Sequence, residues 1–218
     1  MQQKGFIFDL DGVIVDTAKY HFLAWRKLAN GLGIDFTEKE NEQLKGVSRV
    51  RSLEKILQWG NKTLTEDKFV EQMARKNNDY LRYIDSMDAS EILPDVPKVL
   101  EYLKSKEQPI SLGSASKNAR RILKQVYLFD SFDAIVDGTD VTKAKPDPEV
   151  FLIAAKLLKT KPEDCIVFED SVAGVQAANQ ADMISIGIGN GDVLYEANYV
   201  FRDFTEISME FINELIKK

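Results

Sequence analysis

The sequence predicts a mainly parallel, doubly wound α/β sheet with an α-helical domain inserted after its first strand. Three observations predict it. An apolar run at residues 5–8 ends abruptly in Asp9-Leu10-Asp11-Gly12. From residue 93 onward, short β-rich runs alternate with helical patterns, as crossover connections in a parallel sheet require. Between residues 17 and 90 no convincing strand pattern occurs, and the helical periodicity there suggests a second domain. The expected division is an α/β core of residues 1–15 and 91–218 and a helical domain of residues 16–90.

The elements follow in order. Residues 5–8 read as a buried strand. Asp16 or Thr17 can cap a helix that starts near Ala18, carries His21, Trp25, Leu28 and Leu32 on one face, and ends at Leu32-Gly33. Helical patterns continue at 38–44, 50–59 and 66–87. The alternating part then predicts helices at 96–106, 118–126, 149–158 and 173–181, and strands at 110–113, 134–136, 165–168 and 183–188. Asp147 and Pro148 suit the cap and first residue of the 149–158 helix. There is no internal repeat and no low-complexity tract.

The chain has 218 residues, 44% hydrophobic and 29% charged, enough for a core and a small second domain. Its formal net charge is -6 and no long basic run occurs, which argues against a nucleic-acid partner. Cys165 is the sole cysteine, so no intramolecular disulfide forms, and its apolar surroundings place it in the core. Asp9 interrupts the one apolar stretch near the amino terminus, so neither a secretory signal nor a membrane span is expected. The expectation is a cytoplasmic monomer with no membrane partner.

Residues i and i+2 of a strand share a face, so Asp9 and Asp11 face one space at a strand's carboxyl end, where open α/β sheets bind ligands. Two like charges this close call for a cation or a shared proton. Three further polar clusters sit just after strands: Ser114 to Asn118, Lys145-Pro146-Asp147-Pro148, and Glu169-Asp170-Ser171. Singly, each has a plain explanation: a Ser/Asn helix cap, a solvated lysine, and carboxylates favoured by a helix dipole. Together they bring a hydroxyl, a cation and carboxylates to the crevice of Asp9 and Asp11.

The segment from Asp9 to Thr17 resembles the first motif of the haloacid dehalogenase superfamily, in which the first Asp is a nucleophile that becomes phosphorylated. The order Asp pair, Ser114, Lys145, Glu169-Asp170 matches the superfamily's four motifs over nearly the whole chain. The resemblance implies a Rossmann-like core and phosphoryl transfer, with Asp9 as nucleophile and Asp11 as general acid and base. Ser114 and Lys145 would hold the transferring phosphoryl oxygens. Mg²⁺ suits such an all-oxygen site. Its expected ligands are Asp9, Asp11 through its main-chain carbonyl, and Asp170, with Glu169 either a ligand or one step behind.

The insert is more specific. Asp16-Thr17, His21, Trp25, Leu44-Lys45-Gly46-Val47-Ser48-Arg49, Ser52-Leu53 and Arg75-Lys76-Asn77 resemble the β-phosphoglucomutase family, with the insert as a helical cap. That resemblance implies interconversion of β-glucose 1-phosphate and glucose 6-phosphate through the bisphosphate. It assigns substrate contacts to Thr17, His21, Lys45, Gly46, Arg49, Ser52 and Lys76 in the insert, and to Ser116, Lys117 and Asn118 in the core. His21 would gate the substrate in concert with Asp11, or be a packed core residue. Arg49 would grip the distal phosphate, with Arg51 as an adjacent second candidate. Glu149 stands where relatives often have Asp, a cap difference without catalytic meaning. The alternatives are an Mg²⁺-dependent phosphatase of a small phosphorylated metabolite and a non-catalytic phosphate-binding protein; the intact catalytic set argues against the latter.

Overall fold

Strand β1 (Gly5–Phe8) forms where the apolar run predicted it and becomes an interior strand. The computed structural model describes residues 3–44 and 47–218. Among them, β2 (Ile110–Gly113), β3 (Ala134–Val136), β4 (Cys165–Glu169), β5 (Ile184–Ile188) and β6 (Tyr199–Phe201) complete a six-stranded sheet in the order β3-β2-β1-β4-β5-β6. Every pairing is parallel, and Phe8 stands level with Leu112 of β2 and Phe168 of β4. The chain builds outward from β1 to β3 and then crosses to β4, which makes the carboxyl ends of β1 and β4 the switch point.

The described residues divide into two compact units. Thr17–Met87 is one, and the segments before and after it form the other. The first holds α1 (Ala18–Gly31), α2 (Glu38–Glu42), α3 (Arg49–Trp59) and α4 (Glu66–Ile84). Its core gathers Trp25, Leu28, Ala29, Ile34, Phe36, Leu44, Leu53, Ile56 and Leu57. A Thr37–Glu40 capping box starts α2, and the Ser48 hydroxyl accepts the Arg51 N–H to start α3. Helix α1 stops at Leu32, and Gly33 follows at φ +70°, as Leu32-Gly33 suggested.

The other unit adds α5 (Val96–Ser105), α6 (Ala119–Gln125), α7 (Glu149–Leu157), α8 (Val172–Gln180) and α9 (Met209–Lys217). Side chains of β1 alternate between two apolar layers. Ile7 joins Val167 and the Phe151, Ala154, Ala177 and Ala178 side chains of α7 and α8. Phe8 stacks on Phe168 at 4.6 Å and meets Phe132 and Phe204 on the opposite layer. A strand covered on both faces reads as a continuous apolar run, which is why residues 5–8 show no alternation. Cys165 is buried, and burial pushes its thiol up to about 12.

Several expectations need correction. The helix expected over 66–87 ends at Ile84. Helix α7 has Pro148, not Asp147, at its cap, because Asp147 turns one residue earlier and accepts the Glu149 N–H at 3.1 Å. Beyond residue 188 the periodicity reading anticipated neither β6 nor α9. β6 has only three residues, all half-buried, too few to show a period. Helix α9 did carry a signal, Ser208 at its cap with Ile212 and Leu215 buried three apart. Among the described residues no helix is long and apolar enough to cross a membrane.

Candidate active site

Strand parity and register build the centre of the site. Asp9 follows Phe8 and shares the side of Ile7, and Glu169 shares the side of Val167. Ile7 and Val167 are register partners, so the two carboxylates end neighbouring strands side by side. The Asp9 N–H donates to Phe168 O at 3.0 Å, carrying the ladder one step past β1. Lys145, from the loop before α7, enters between them. Its Nζ donates to Asp9 Oδ1 at 2.6 Å and to Glu169 Oε1 at 2.5 Å. All three side chains are nearly sealed from solvent, at 2%, 9% and 1% exposure for Lys145, Asp9 and Glu169.

Burial would pull the Lys145 ammonium down, but Asp9 and Glu169 override it and hold it above the usual lysine range. Burial, with Glu169 and Asp11 nearby, pushes Asp9 up to about 7 in spite of Lys145. The centre therefore holds more carboxylate charge than one ammonium neutralises.

Glu169 is held from several sides. Its Oε2 accepts the Ser171 N–H at 2.8 Å and the Ser171 hydroxyl at 2.9 Å. A Cβ on Gly174 would lie 1.9 Å from Glu169 Oε1, so only glycine fits there. Ser171 in turn accepts the Gly174 N–H at 3.1 Å and caps α8. Both Glu169 oxygens are thus engaged by the protein. Sequence reasoning missed Ser171 and Gly174 as site residues, although Ser171 directly follows the Glu169-Asp170 pair.

Asp11 and Asp170 are half-buried. Gly12, at φ +78°, turns the chain so tightly that a Cβ there would lie 2.2 Å from Asp170 Oδ2. Asp170 is therefore packed against the main chain next to Asp11. Among the described residues no group of three or more His, Cys, Asp or Glu side chains is gathered at metal-ligand spacing. The expected set does not need one: it combines the side chains of Asp9 and Asp170 with a main-chain carbonyl. Those oxygens, the uncompensated charge and the Gly12 cradle fit a hard cation.

Ser114 follows β2, is buried, and accepts the Ser116 N–H at 3.1 Å. Ser116 accepts the Asn118 N–H at 3.3 Å, Asn118 precedes α6, and Lys117 is exposed.

In the helical unit, Lys76 is buried and donates to His21 Nδ1 at 3.0 Å, which leaves the neutral ring's proton on Nε2. The Lys76 ammonium lies over Trp25 at 4.6 Å and Tyr80 at 4.7 Å. Burial, Lys76 and Arg49 hold His21 well below the usual histidine range. Arg49 is half-buried and burial lowers its pKa, whereas Arg51 is exposed and pairs with Glu54 at 2.6 Å. Thr17 is buried at the start of α1, and Ser52 is buried with Oγ 3.5 Å from Val47 O. Lys45 and Gly46 lie outside the described residues.

A buried aspartate, an ammonium and further carboxylates thus meet at the switch point of a parallel sheet, an arrangement found in α/β enzymes of the haloacid dehalogenase-like class. The haloacid dehalogenase-like hydrolase model matches residues 3–182, and the chain belongs to that family. Within it, the chain is 43% identical to the β-phosphoglucomutase of Bacillus subtilis over 216 residues, 97% of this chain and 94% of that one. It superposes on the crystal structure of a β-phosphoglucomutase from Clostridium difficile with a TM-score of 0.94 at 45% identity, covering 100% of this chain and 98% of that one. A phosphorylated-carbohydrate phosphatase of Thermotoga maritima is 31% identical over 207 residues, 90% of this chain and 92% of that one.

Proposed function

We propose that this enzyme interconverts β-glucose 1-phosphate and glucose 6-phosphate through an aspartyl-phosphate and the 1,6-bisphosphate. The observation that carries this reading is the 43% identity to the Bacillus subtilis β-phosphoglucomutase over 97% of the chain, helical unit included, against 31% for the phosphatase relative. A phosphatase of the same family uses the same core residues. The insert is what distinguishes them.

An Asp9 oxygen attacks phosphorus, the bond from phosphorus to the sugar oxygen breaks, and Asp11 gives that oxygen a proton. In the reverse sense Asp11 takes the proton of a sugar hydroxyl, whose oxygen attacks the acyl phosphate and restores Asp9. Lys145 and Ser114 hold the phosphoryl oxygens, and Glu169 holds Lys145. Asp9, the Asp11 carbonyl and Asp170 would hold Mg²⁺, which when bound offsets charge on the transferring group. In the helical unit Arg49 takes the distal phosphate, a role its half-buried setting supports over the Glu54-paired Arg51. Thr17, His21, Lys45, Gly46, Ser52 and Lys76 serve the sugar, and Ser116, Lys117 and Asn118 serve a phosphate on the core side.

Water competes with the sugar for the phosphorylated aspartate. Effective molarities of oriented groups reach ~10⁵–10⁸ M, far above the concentration of water, so a bound sugar wins. The test supplies β-glucose 1-phosphate, Mg²⁺ and a trace of bisphosphate, and assays glucose 6-phosphate and free phosphate together. Glucose 6-phosphate should form much faster than phosphate is released, with the α-anomer a poor substrate. Mainly free phosphate would favour the phosphatase instead.

A further inference from the structure

Lys145 sits on an exposed loop, yet its ammonium must lie between two buried carboxylates. Residues 142–144 are solvent-exposed, so no apolar packing fixes the loop there. Val141 packs against the core just before it and Lys143 pairs with Asp147 at 3.3 Å, but most of its hydrogen bonds go to one side chain. Glu149, the first residue of α7, reaches back across the loop. Its Oε2 accepts the N–H groups of Thr142 at 2.8 Å and Lys143 at 2.6 Å, and its Oε1 accepts the Thr142 hydroxyl at 3.0 Å. At the near end, the Glu149 N–H donates to Asp147 Oδ1 at 3.1 Å, and the Asp147 N–H donates to Ala144 O at 3.1 Å. Lys145 lies in the middle of this closed segment. Two residues after Glu149, the buried Phe151 ring supports the Lys145 ammonium at 4.7 Å.

A lysine side chain has many rotamers, and where its Nζ rests depends on where its main chain begins. Hydrogen bonds from N–H groups to a carboxylate are roughly twice as strong as neutral ones. The bonds from Lys143 and Thr142 also hold the Glu149 carboxyl below the usual glutamate range, so it is ionised at neutral pH. These contacts are more than a helix cap requires, since they run backward onto the loop that delivers Lys145.

We propose that Glu149 is a positioning residue for phosphoryl transfer, which clamps Thr142 and Lys143 and so fixes the Lys145 ammonium between Asp9 and Glu169. The inference rests on the role proposed above for Lys145. It is tested with E149A, E149Q, K145A and the double variant K145A/E149A, by single-turnover phosphorylation from acetyl phosphate in Mg²⁺, alongside thermal melting. E149A should lower the rate about 10- to 100-fold, the usual cost of a small misplacement, with KM within about twofold. E149Q keeps one acceptor oxygen and should lose only about threefold, because its bonds are no longer charge-assisted. In the K145A background, E149A should change the rate by less than about twofold, since groups acting through one another are not additive. A wild-type rate in E149A, or the same fold-loss with and without Lys145, overturns the proposal. Should E149A not fold, E149Q decides: a reduced rate at unchanged KM that vanishes in the K145A background supports it, and a wild-type rate overturns it. A wild-type rate in K145A itself would instead remove the Lys145 role on which the inference stands.

Discussion

Among the described residues each unit buries one lysine, and the two lie in different surroundings. In the α/β unit, Lys145 lies between the carboxylates of Asp9 and Glu169 at 2.6 and 2.5 Å. In the helical unit, Lys76 donates to the neutral ring of His21 and rests on the faces of Trp25 and Tyr80. The first arrangement concentrates charge. Its pair of carboxylates competes for one ammonium, and Asp9 is pushed up to about 7, chiefly by burial. The second disperses charge, and its cost falls on the histidine, held neutral by burial and by the cations Lys76 and Arg49. The two settings favour different ligands. Carboxylates in excess favour a metal and a phosphoryl group, whereas cations backed by aromatic faces favour an anionic ester.

The largest loss is expected at Asp9. Asp9→Asn should abolish phosphoenzyme formation, read by mass spectrometry or by transfer of label from acetyl phosphate. Chelation should likewise stop turnover, with Mg²⁺ restoring it. Full activity in excess chelator would mean that the carboxylate-rich centre does not work through a metal. Asp11→Asn keeps the nucleophile and should lower turnover by roughly 10²–10⁴, the usual worth of general acid–base catalysis. If turnover stayed at the wild-type level, Asp11 would lose its assigned role.

The helical region gives smaller and more selective effects. Arg49→Ala should weaken use of the bisphosphate by about 10-fold or more while leaving acetyl phosphate hydrolysis within about twofold, because a charged hydrogen-bonded contact is worth roughly 1.5–3 kcal/mol. Arg51→Ala should leave both within about twofold of wild type. Equal losses on both substrates would make Arg49 a structural residue. The smallest expected effect is in titration. His21 is the only histidine, so its ring resonances are unambiguous by NMR. Its folded pKa lies below the unfolded value near 6.5 because burial, Lys76 and Arg49 disfavour the charged ring. Stability from this group is therefore complete above 6.5 and declines as pH falls from there toward the folded pKa, by at most about 1.4 kcal/mol per pH unit. Lys76→Met should raise the His21 pKa and flatten that decline in melting curves at pH 7.5 and 5.5. An unmoved titration would show that the Lys76 charge is not felt at the ring.

Much of the α/β unit was legible because its signals are local. Strand β1 is a continuous apolar run, and Asp9 and Asp11 announce themselves by spacing two apart after it. The end of the chain was less legible: β6 is too short for periodicity, and the amphipathic signal of α9 went unused. In sequence Glu149 reads only as a variant cap, because a cap is all that its neighbours in sequence reveal.

Residue pattern alone gives the order of most elements, the Asp9–Asp11 pair at the carboxyl end of a strand, and three further polar clusters after strands. Period, turn chemistry and residue type within a few positions carry these, while Lys145 and Asp170 stand out from their clusters only through the resemblance to the haloacid dehalogenase superfamily. The partners come from the tertiary fold. Asp9 and Lys145 are 136 residues apart, Lys145 and Glu169 24, and His21 and Lys76 55. Which of Glu169 and Lys145 would meet, and in which pocket Lys76 would be buried, depends on strand register and helix packing. Those are collective outcomes of the whole core, so no window of sequence contains them. Register then sets Asp9 beside Glu169, and the burial that follows raises the electrostatic stakes of every group placed there.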